Sequence, residues 1–197
     1  MKTKYLIPIL VVLITAQSCT IFSLNPLYTE EDLMEVPDLV GTWEEPDEHE
    51  YVSIELLQNN KYLFRYMEDL RKDGTFQEVD TVSYEAGFLE VGNHFFADLY
   101  PYYHDEGSDE SEYLFRNFIP THSILKIVKE GNELQLYLFN FDRLQELFEQ
   151  NRIRIKHQMF DDYIVITAST EELQKFIEKY ADDPKAFEDP AIFRKIE

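Results

Sequence analysis

Apolar and polar residues alternate along the chain over residues 51–56 and again over residues 61–68. A period of two is typical of strands that bury one face. The dipeptide Asn59-Asn60 separates the two stretches, and asparagine tolerates the positive φ angles of a tight hairpin turn. These residues are therefore predicted to form a β-hairpin.

Similar strand-like stretches continue over most of the chain. Further predicted strands cover residues 39–43, 75–84 with 86–91, 94–100, 123–129, 133–141, 153–159 and 163–167. Short turns such as Gly92-Asn93 and Gly131-Asn132 join neighbouring strands, and a bulge is predicted at Gly87. Strands joined in this way form an antiparallel meander, and closure removes its exposed edges. The predicted fold is mainly β, a barrel of roughly eight to ten strands.

Two stretches have the period of an α-helix instead. Residues 142–150 are predicted to form a short helix. Residues 170–181 follow a capping box, in which Ser169 is the N-cap and Glu172 is the third helical residue. The apolar residues of this second helix share one stripe, which is predicted to pack outside the sheet: Leu173, Phe176, Ile177 and Tyr180.

The end of the chain is punctuated by prolines. Pro184 is predicted to stop the second helix. Pro190 is predicted to start a final turn, with Ile192 and Phe193 on its inner side. The sequence contains no internal repeat and no low-complexity segment.

The first residues have a different character. A positively charged start precedes an apolar run over residues 5–14, small residues follow, and Cys19 is the one cysteine of the chain. This order is typical of an export signal, and the apolar run is too short to span a bilayer as a mature helix. The placing of Ala16 and Ser18 before Cys19 resembles a relaxed bacterial lipobox. The alternative is a chance thiol beside an ordinary cleavage site.

The lipobox-like motif implies an organisation for the whole chain. Residues 1–18 are predicted to be a lipoprotein signal peptide, residues 19–37 a lipid-anchored tether, and residues 38–197 the barrel domain with its helices. Acylation of Cys19 would join the chain to the lipid bilayer. Thr20 follows the cysteine, so the aspartate that commonly marks inner-membrane retention is absent. The predicted location is the bacterial outer membrane.

Acidic residues outnumber basic residues, 39 against 18, for a formal net charge of −21. Such a surface lacks the basic footprint that DNA and RNA require, which excludes nucleic acid as a partner. Acidic residues are densest over residues 105–112. That segment is either a solvated loop or a cation site, and its register does not match the calcium loop of an EF-hand.

Motifs for catalysis and for cofactor binding are missing from the sequence. It contains no Gly-x-Ser-x-Gly motif, no Walker motif and no dinucleotide-binding glycine loop. The five histidines lack the spacing of metal ligands, although His94 and His104 flank one predicted strand and lie within reach of each other. The chain is therefore predicted to be no enzyme and to hold no metal or cofactor.

The motif Gly41-Thr42-Trp43 on the first predicted strand, followed by a meander and then a helix, resembles the lipocalin-like (calycin) barrels. Three further segments, 95–101, 119–122 and 173–176, are similar to those of uncharacterised lipocalin-like lipoproteins of the Bacteroidota envelope. The resemblance implies a barrel plugged near Trp43, with Gly41 beside it and an arginine packed over the indole. Arg154 is the candidate, with Arg152 as the alternative. The chain departs from secreted lipocalins by its inserted helix and its lack of a disulfide pair.

The aromatic alternation admits two interpretations, because inward side chains either line a ligand cavity or fill a closed core. If a cavity exists, its ligand-binding residues are predicted to be Tyr62, Phe64, Tyr66, Phe95, Leu99 and Leu136. The first hypothesis is a tethered binding module for a small apolar or amphipathic ligand. The second is a structural lipoprotein with a filled barrel that contacts an envelope partner.

Overall fold

The computed structural model describes residues 20–46, 50–68, 80–102, 119–160 and 163–196. The predicted signal peptide 1–18, Cys19 and the acidic segment 105–112 lie outside these residues, as do His49 and His104. No helix within the described ranges is both long enough and apolar enough to cross a bilayer.

Strands dominate the described residues. The strands are β1 (Thr20–Ser23), β2 (Gly41–Glu45), β3 (Glu50–Leu56), β4 (Lys61–Glu68), β5 (Asp80–Val91), β6 (His94–Pro101), β7 (His122–Glu130), β8 (Glu133–Tyr137), β9 (His157–Met159), β10 (Tyr163–Ile166) and β11 (Ala191–Lys195). The helices are α1 (Phe141–Glu149) and α2 (Thr170–Tyr180), with 3-10 turns at Pro37–Leu39 and Pro184–Ala186.

Eight strands close into an antiparallel barrel. β2 to β8 pair in succession along the chain, and β11 then pairs with both β8 and β2. The predicted fold class, an antiparallel barrel with a helix outside, is confirmed. The Asn59-Asn60 turn is also confirmed, since both residues have positive φ angles, 53° and 58°.

The closing strand corrects the prediction for the end of the chain. Residues 191–195 form β11 and are not a terminal turn. Phe193 points into the barrel and is 1% exposed, whereas Ile192 points outward and is 38% exposed. The prediction failed because a five-residue strand gains its stability from two partners that lie far away in sequence.

Three strands extend the sheet beyond the barrel. β1 pairs with the start of β7, β10 runs parallel to β1, and β9 pairs with β10. The predicted strands 153–159 and 163–167 were expected in the barrel, so this placement is a correction. The predicted strand 133–141 likewise ends at Tyr137, because Asn140 caps α1 by accepting a hydrogen bond from the backbone N–H of Arg143 at 2.7 Å.

Residues 20–37, which belong to the predicted lipid-anchored tether 19–37, pack against the barrel. Leu27 is fully buried, and Leu33 is buried as well. Gly87 lies directly beneath this segment: a Cβ atom there would stand 2.7 Å from the Tyr28 ring and 2.8 Å from Leu33. Strand β5 pairs without interruption through Gly87, so the predicted bulge is absent and the glycine instead allows this close approach.

A second core lies between the outer face of the barrel and the helices. Leu89 and Phe96 of the barrel meet the apolar stripe of α2 in this core, as predicted. Ser169 and Glu172 form the predicted capping box. Burial of one stripe of an amphipathic helix is the main source of its stability, so this packing fixes α2 against the barrel.

Candidate functional site

The barrel interior is formed by the inward positions of all eight strands. The six predicted ligand-binding residues belong to one cluster: Tyr62, Phe64, Leu99 and Leu136 are buried in it, and Tyr66 and Phe95 are partly buried against it. Phe88 connects two of them, with its ring centroid 5.3 Å from Tyr62 in an edge-on arrangement and 5.9 Å from Phe95 in a stacked one. The six residues thus lie in one cluster, and their role in binding a ligand stays a prediction.

The described interior is packed with side chains. Trp43, Val52, Ile54 and Phe88 are 0% exposed, and Phe64 is 3% exposed. A side chain with no surface open to a water-sized sphere lines no space that could hold a water molecule. Around these residues the barrel is a filled core, in which each large apolar side chain contributes roughly 1.5–3 kcal/mol by burial.

Alternation aligns Leu56 with Ile54 and Leu138 with Leu136, yet neither leucine lies inside the barrel. Leu56 is 60% exposed and Leu138 is 52% exposed. Both lie at or beyond the end of a strand: Leu56 is the last residue of β3, and Leu138 follows the last residue of β8. Alternation predicts which face a side chain takes, but not where the barrel wall ends.

One end of the barrel is closed by the chain that enters it. The 3-10 turn at Pro37–Leu39 lies across this end, and Val36 and Leu39 belong to the interior cluster. The backbone N–H of Val36 donates a 2.7 Å hydrogen bond to the Tyr62 hydroxyl, and Trp43 Nε1 donates a 2.9 Å bond to the Leu39 carbonyl oxygen. The Tyr62 hydroxyl, predicted to orient a ligand, holds this plug instead.

Lys195 provides the cation over Trp43. Its Nζ lies 5.1 Å from the centre of the indole ring and also donates a 3.3 Å hydrogen bond to the carbonyl oxygen of Asp38. The assignment of Arg154 to this role is therefore wrong. Arg154 lies in a surface groove against α2, lined by Phe176 and Lys179 among others. The sequence misled because the late strand beside Trp43 is β11 and not the segment around residue 154.

Gly41 lies at the same end, where it begins the first barrel strand. Its φ angle is 129°, in a region that side chains other than glycine rarely adopt. Only Val40 separates Gly41 from the 3-10 turn at Pro37–Leu39, so Gly41 lies where the chain leaves that turn and enters β2. The predicted structural role of Gly41 at the barrel end thus has a specific conformational basis.

A buried carboxyl group outside the barrel was missed by sequence reasoning. Asp98 is 0% exposed on the outer face of β6. It accepts a 2.5 Å hydrogen bond from the backbone N–H of Leu27, and its other oxygen lies 2.6 Å from His122 Nδ1. The available signal was an aspartate in the middle of a strand, on the same face as the aromatic residues Phe96 and Tyr100. Asp98 fastens the N-terminal segment to β6 and β7.

Lys61 is the centre of a partly buried cluster of polar groups. Its Nζ lies 3.0 Å from Glu85 and 3.6 Å from Glu30, and 5.6 Å above the Tyr28 ring. Burial opposes the charged form of Lys61. The hydrogen bond that Lys61 donates to Glu85 and the negative charge of ionised Tyr28 outweigh burial and raise the pKa of Lys61. Burial also raises the pKa of Tyr28. A surface cleft of about 450 Å³ opens beside this cluster.

The described histidines have ordinary partners. His94 Nε2 lies 2.7 Å from the exposed carboxylate of Asp182, and His157 Nδ1 lies 2.8 Å from the carbonyl oxygen of Ile155. Within the described ranges no three His, Cys, Asp or Glu side chains come together as metal ligands would. The proposed approach of His94 to His104 lies partly outside those ranges.

Fold and interior together define a closed, eight-stranded antiparallel barrel that is compatible with a lipocalin-like fold. Searches with the chain found no matching family model, no matching curated protein and no matching solved structure. The barrel is therefore established by strand pairing within the chain itself, and the similarity to Bacteroidota lipoproteins stays a prediction from sequence.

Proposed function

We propose that this chain is an outer-membrane lipoprotein of the bacterial envelope whose filled, lipocalin-like barrel is a non-catalytic interaction scaffold. The observation that carries the proposal is the packed interior, in which Trp43, Val52, Ile54 and Phe88 have no exposed surface. A small-molecule site needs a concave space of several hundred Å³. The interior around Trp43, Val52 and Ile54 offers no such space, so the outer surfaces of the barrel are left to make contacts.

Tethering is supported by the sequence of residues 1–19, with its positive start, apolar run and single cysteine. Replacement of Cys19 by Ala is expected to release the full chain from the outer-membrane fraction. Mass spectrometry of the chain without this substitution should show an acylated Cys19 as the first residue. Fractionation unchanged by the substitution would exclude the lipid anchor.

The second candidate function is binding of a small apolar or amphipathic ligand near the end of the barrel opposite the plug. It is favoured by Tyr66 and Tyr84, which are only half-buried and lie against the interior cluster. Native mass spectrometry of the chain after release from membranes distinguishes the two candidates. A bound small molecule would support the ligand-binding function, and a bare protein mass would support the scaffold.

A substitution of Phe64 also distinguishes the two candidate functions, because Phe64 is 3% exposed and lies between the two ends of the barrel. In a filled core Phe64→Trp should overpack and cost roughly 1–3 kcal/mol of unfolding free energy. In an open cavity the larger ring should be tolerated and should change the binding of a lipophilic fluorescent probe. Destabilisation without probe binding to either protein would end the ligand hypothesis for this cavity.

A further inference from the structure

Three aromatic rings form a row on the three-stranded extension, in which Phe160 and Tyr163 are exposed and Phe22 is partly buried. The Phe160 and Tyr163 rings stack with centroids 4.5 Å apart, and Phe22 meets Tyr163 edge-on at 6.4 Å. Phe160 is 46% exposed, Tyr163 is 40% exposed, and the neighbouring Met159 is 38% exposed. We call Phe22, Phe160 and Tyr163 the aromatic tip. Met159 is not part of it, because it pairs with the buried Ile164 and therefore lies on the opposite face of the extension. A group of exposed large apolar side chains is typical of a surface that contacts a membrane, a ligand or another protein.

The aromatic tip is held rigidly. The backbone N–H of Phe160 donates a 2.9 Å hydrogen bond to the carbonyl oxygen of Tyr163, which closes the hairpin between β9 and β10. Ile164 follows on β10, is fully buried and anchors this strand in the second core. The rings are therefore displayed on a fixed frame, so that covering them requires little ordering of the protein.

The register of β1 places Thr20, the residue that follows Cys19 in the sequence, at this same tip. Thr20, the first residue of β1, is the pairing partner of Tyr163 in the parallel ladder. Cys19 is the preceding residue in the sequence, and no spacer lies between it and the strand. An acyl chain on Cys19 would be attached one residue before Thr20 in the sequence, and one residue of chain spans at most roughly 3.3–3.6 Å.

We propose that the aromatic tip rests on the lipid bilayer and docks the barrel directly against the membrane surface. This inference rests on the proposed acylation of Cys19. The tyrosine of the tip favours the interface between headgroups and hydrocarbon, where its apolar ring and its hydroxyl are both satisfied. Phenylalanine rings are found on the apolar faces of segments that lie in this interface. The residues between Phe160 and Tyr163 in the sequence are Asp161 and Asp162, and charged groups are costly in hydrocarbon. The contact is therefore shallow and at headgroup depth.

A fluorescence experiment on the acylated full-length product tests the docking. The substitution Phe160→Trp introduces an indole at the tip, while the native Trp43 is fully buried and gives a constant background. The matched control is Ile192→Trp, since Ile192 is also an exposed apolar residue but lies on barrel strand β11. Each protein is reconstituted into zwitterionic phosphatidylcholine vesicles with plain or brominated acyl chains.

The expected result is a shift to shorter wavelength and strong quenching by brominated lipid for Phe160→Trp, with neither effect for Ile192→Trp. Tyr163→Trp should repeat the result if Phe160→Trp folds poorly. Vesicle flotation tests the lipid anchor on Cys19 separately from the docking of the aromatic tip. Protein that floats while its tip indole stays unquenched overturns the docking and leaves the anchor intact. Protein that is not acylated and does not float overturns both. Equal quenching at both positions also overturns the docking, because it indicates unspecific adsorption.

Discussion

Lys195 lies over the indole of Trp43, with Nζ 5.1 Å from the ring centre, and the two residues are also direct partners across the β11–β2 ladder. One residue from the last strand thus covers the large side chain that closes the barrel end. The contact combines a cation–π interaction with shielding of an otherwise buried ring. This contact joins β2, the first strand of the barrel in the sequence, to β11, the last.

Removal of this cation should weaken the closure. Lys195→Ala is expected to lower the unfolding free energy by about 0.5–2 kcal/mol, because the cation–π contact and the cover of the alkyl chain are both lost. Lys195→Arg retains a cation and should lose less. Urea denaturation followed by Trp43 fluorescence measures both. Equal losses for the two variants would show that the charge over the ring contributes nothing.

The neighbouring residue Phe193 tests whether β11 is a structural strand of the barrel. Phe193 is 1% exposed within the interior cluster, so Phe193→Ala should cost about 3–5 kcal/mol through lost burial and the resulting cavity. Ile192→Ala on the opposite face of the same strand is the control and should change stability within about 0.5 kcal/mol. Similar losses at the two positions would contradict the alternation that places Phe193 inside.

The carboxyl group of Asp98 should be among the most sensitive polar positions. Asp98→Ala leaves the backbone N–H of Leu27 and the Nδ1 atom of His122 without their acceptor, which is expected to cost about 2–5 kcal/mol. Asp98→Asn keeps an acceptor oxygen and should cost less. Asp182→Ala removes the partner of His94 at the surface and should change thermal unfolding little, since that carboxylate is 89% exposed.

The N-terminal segment also gives the domain a defined sensitivity to acid. Hydrogen bonds from the Thr29 backbone N–H and hydroxyl, and then from Gln174, lower the pKa of Asp32 below its ordinary 3.8. A carboxyl group whose pKa is lower in the folded state stabilises the fold above its unfolded pKa. That stabilisation is lost as the pH falls through the folded pKa.

Asp32→Asn should therefore be less stable than the native chain at neutral pH, and its stability should depend less on pH below about 4. The reason is that protonation of Asp32 no longer contributes to the slope. Chemical denaturation at a series of pH values from neutral down to acid measures both effects. Parallel stability curves for the two proteins would contradict the role of Asp32.

Local patterns in the sequence predicted the local parts of the fold. The hairpin at Asn59-Asn60, the capping box of Ser169 and the buried stripe of α2 depend on residues within a few positions of one another. Alternation also grouped Tyr62, Phe64 and Leu99 in one interior, because a strand has only two faces. Each of these features is determined by residues that are close to it in the sequence.

The parts that sequence reasoning missed depend on partners far away in the chain. β11 is five residues long and is stabilised by β8 and β2, and the four residues of β1 are stabilised by β7 and β10. The cation over Trp43 was misassigned for the same reason, since its identity depends on which strand closes the barrel. Asp98 stood out only as a charged residue inside a predicted strand. The sequence did not indicate that Leu27 and His122 would be its partners.

The closure by β11 has a consequence for the order in which the barrel forms during synthesis. Trp43 is made early, but its strand partner Lys195 belongs to the last residues of the chain. Contacts between distant residues form late, because a long loop must close before any of them contributes. The barrel therefore stays open at the β2–β8 seam until the whole chain has emerged. A chain that crosses a membrane through a narrow channel reaches the far side before it is able to close.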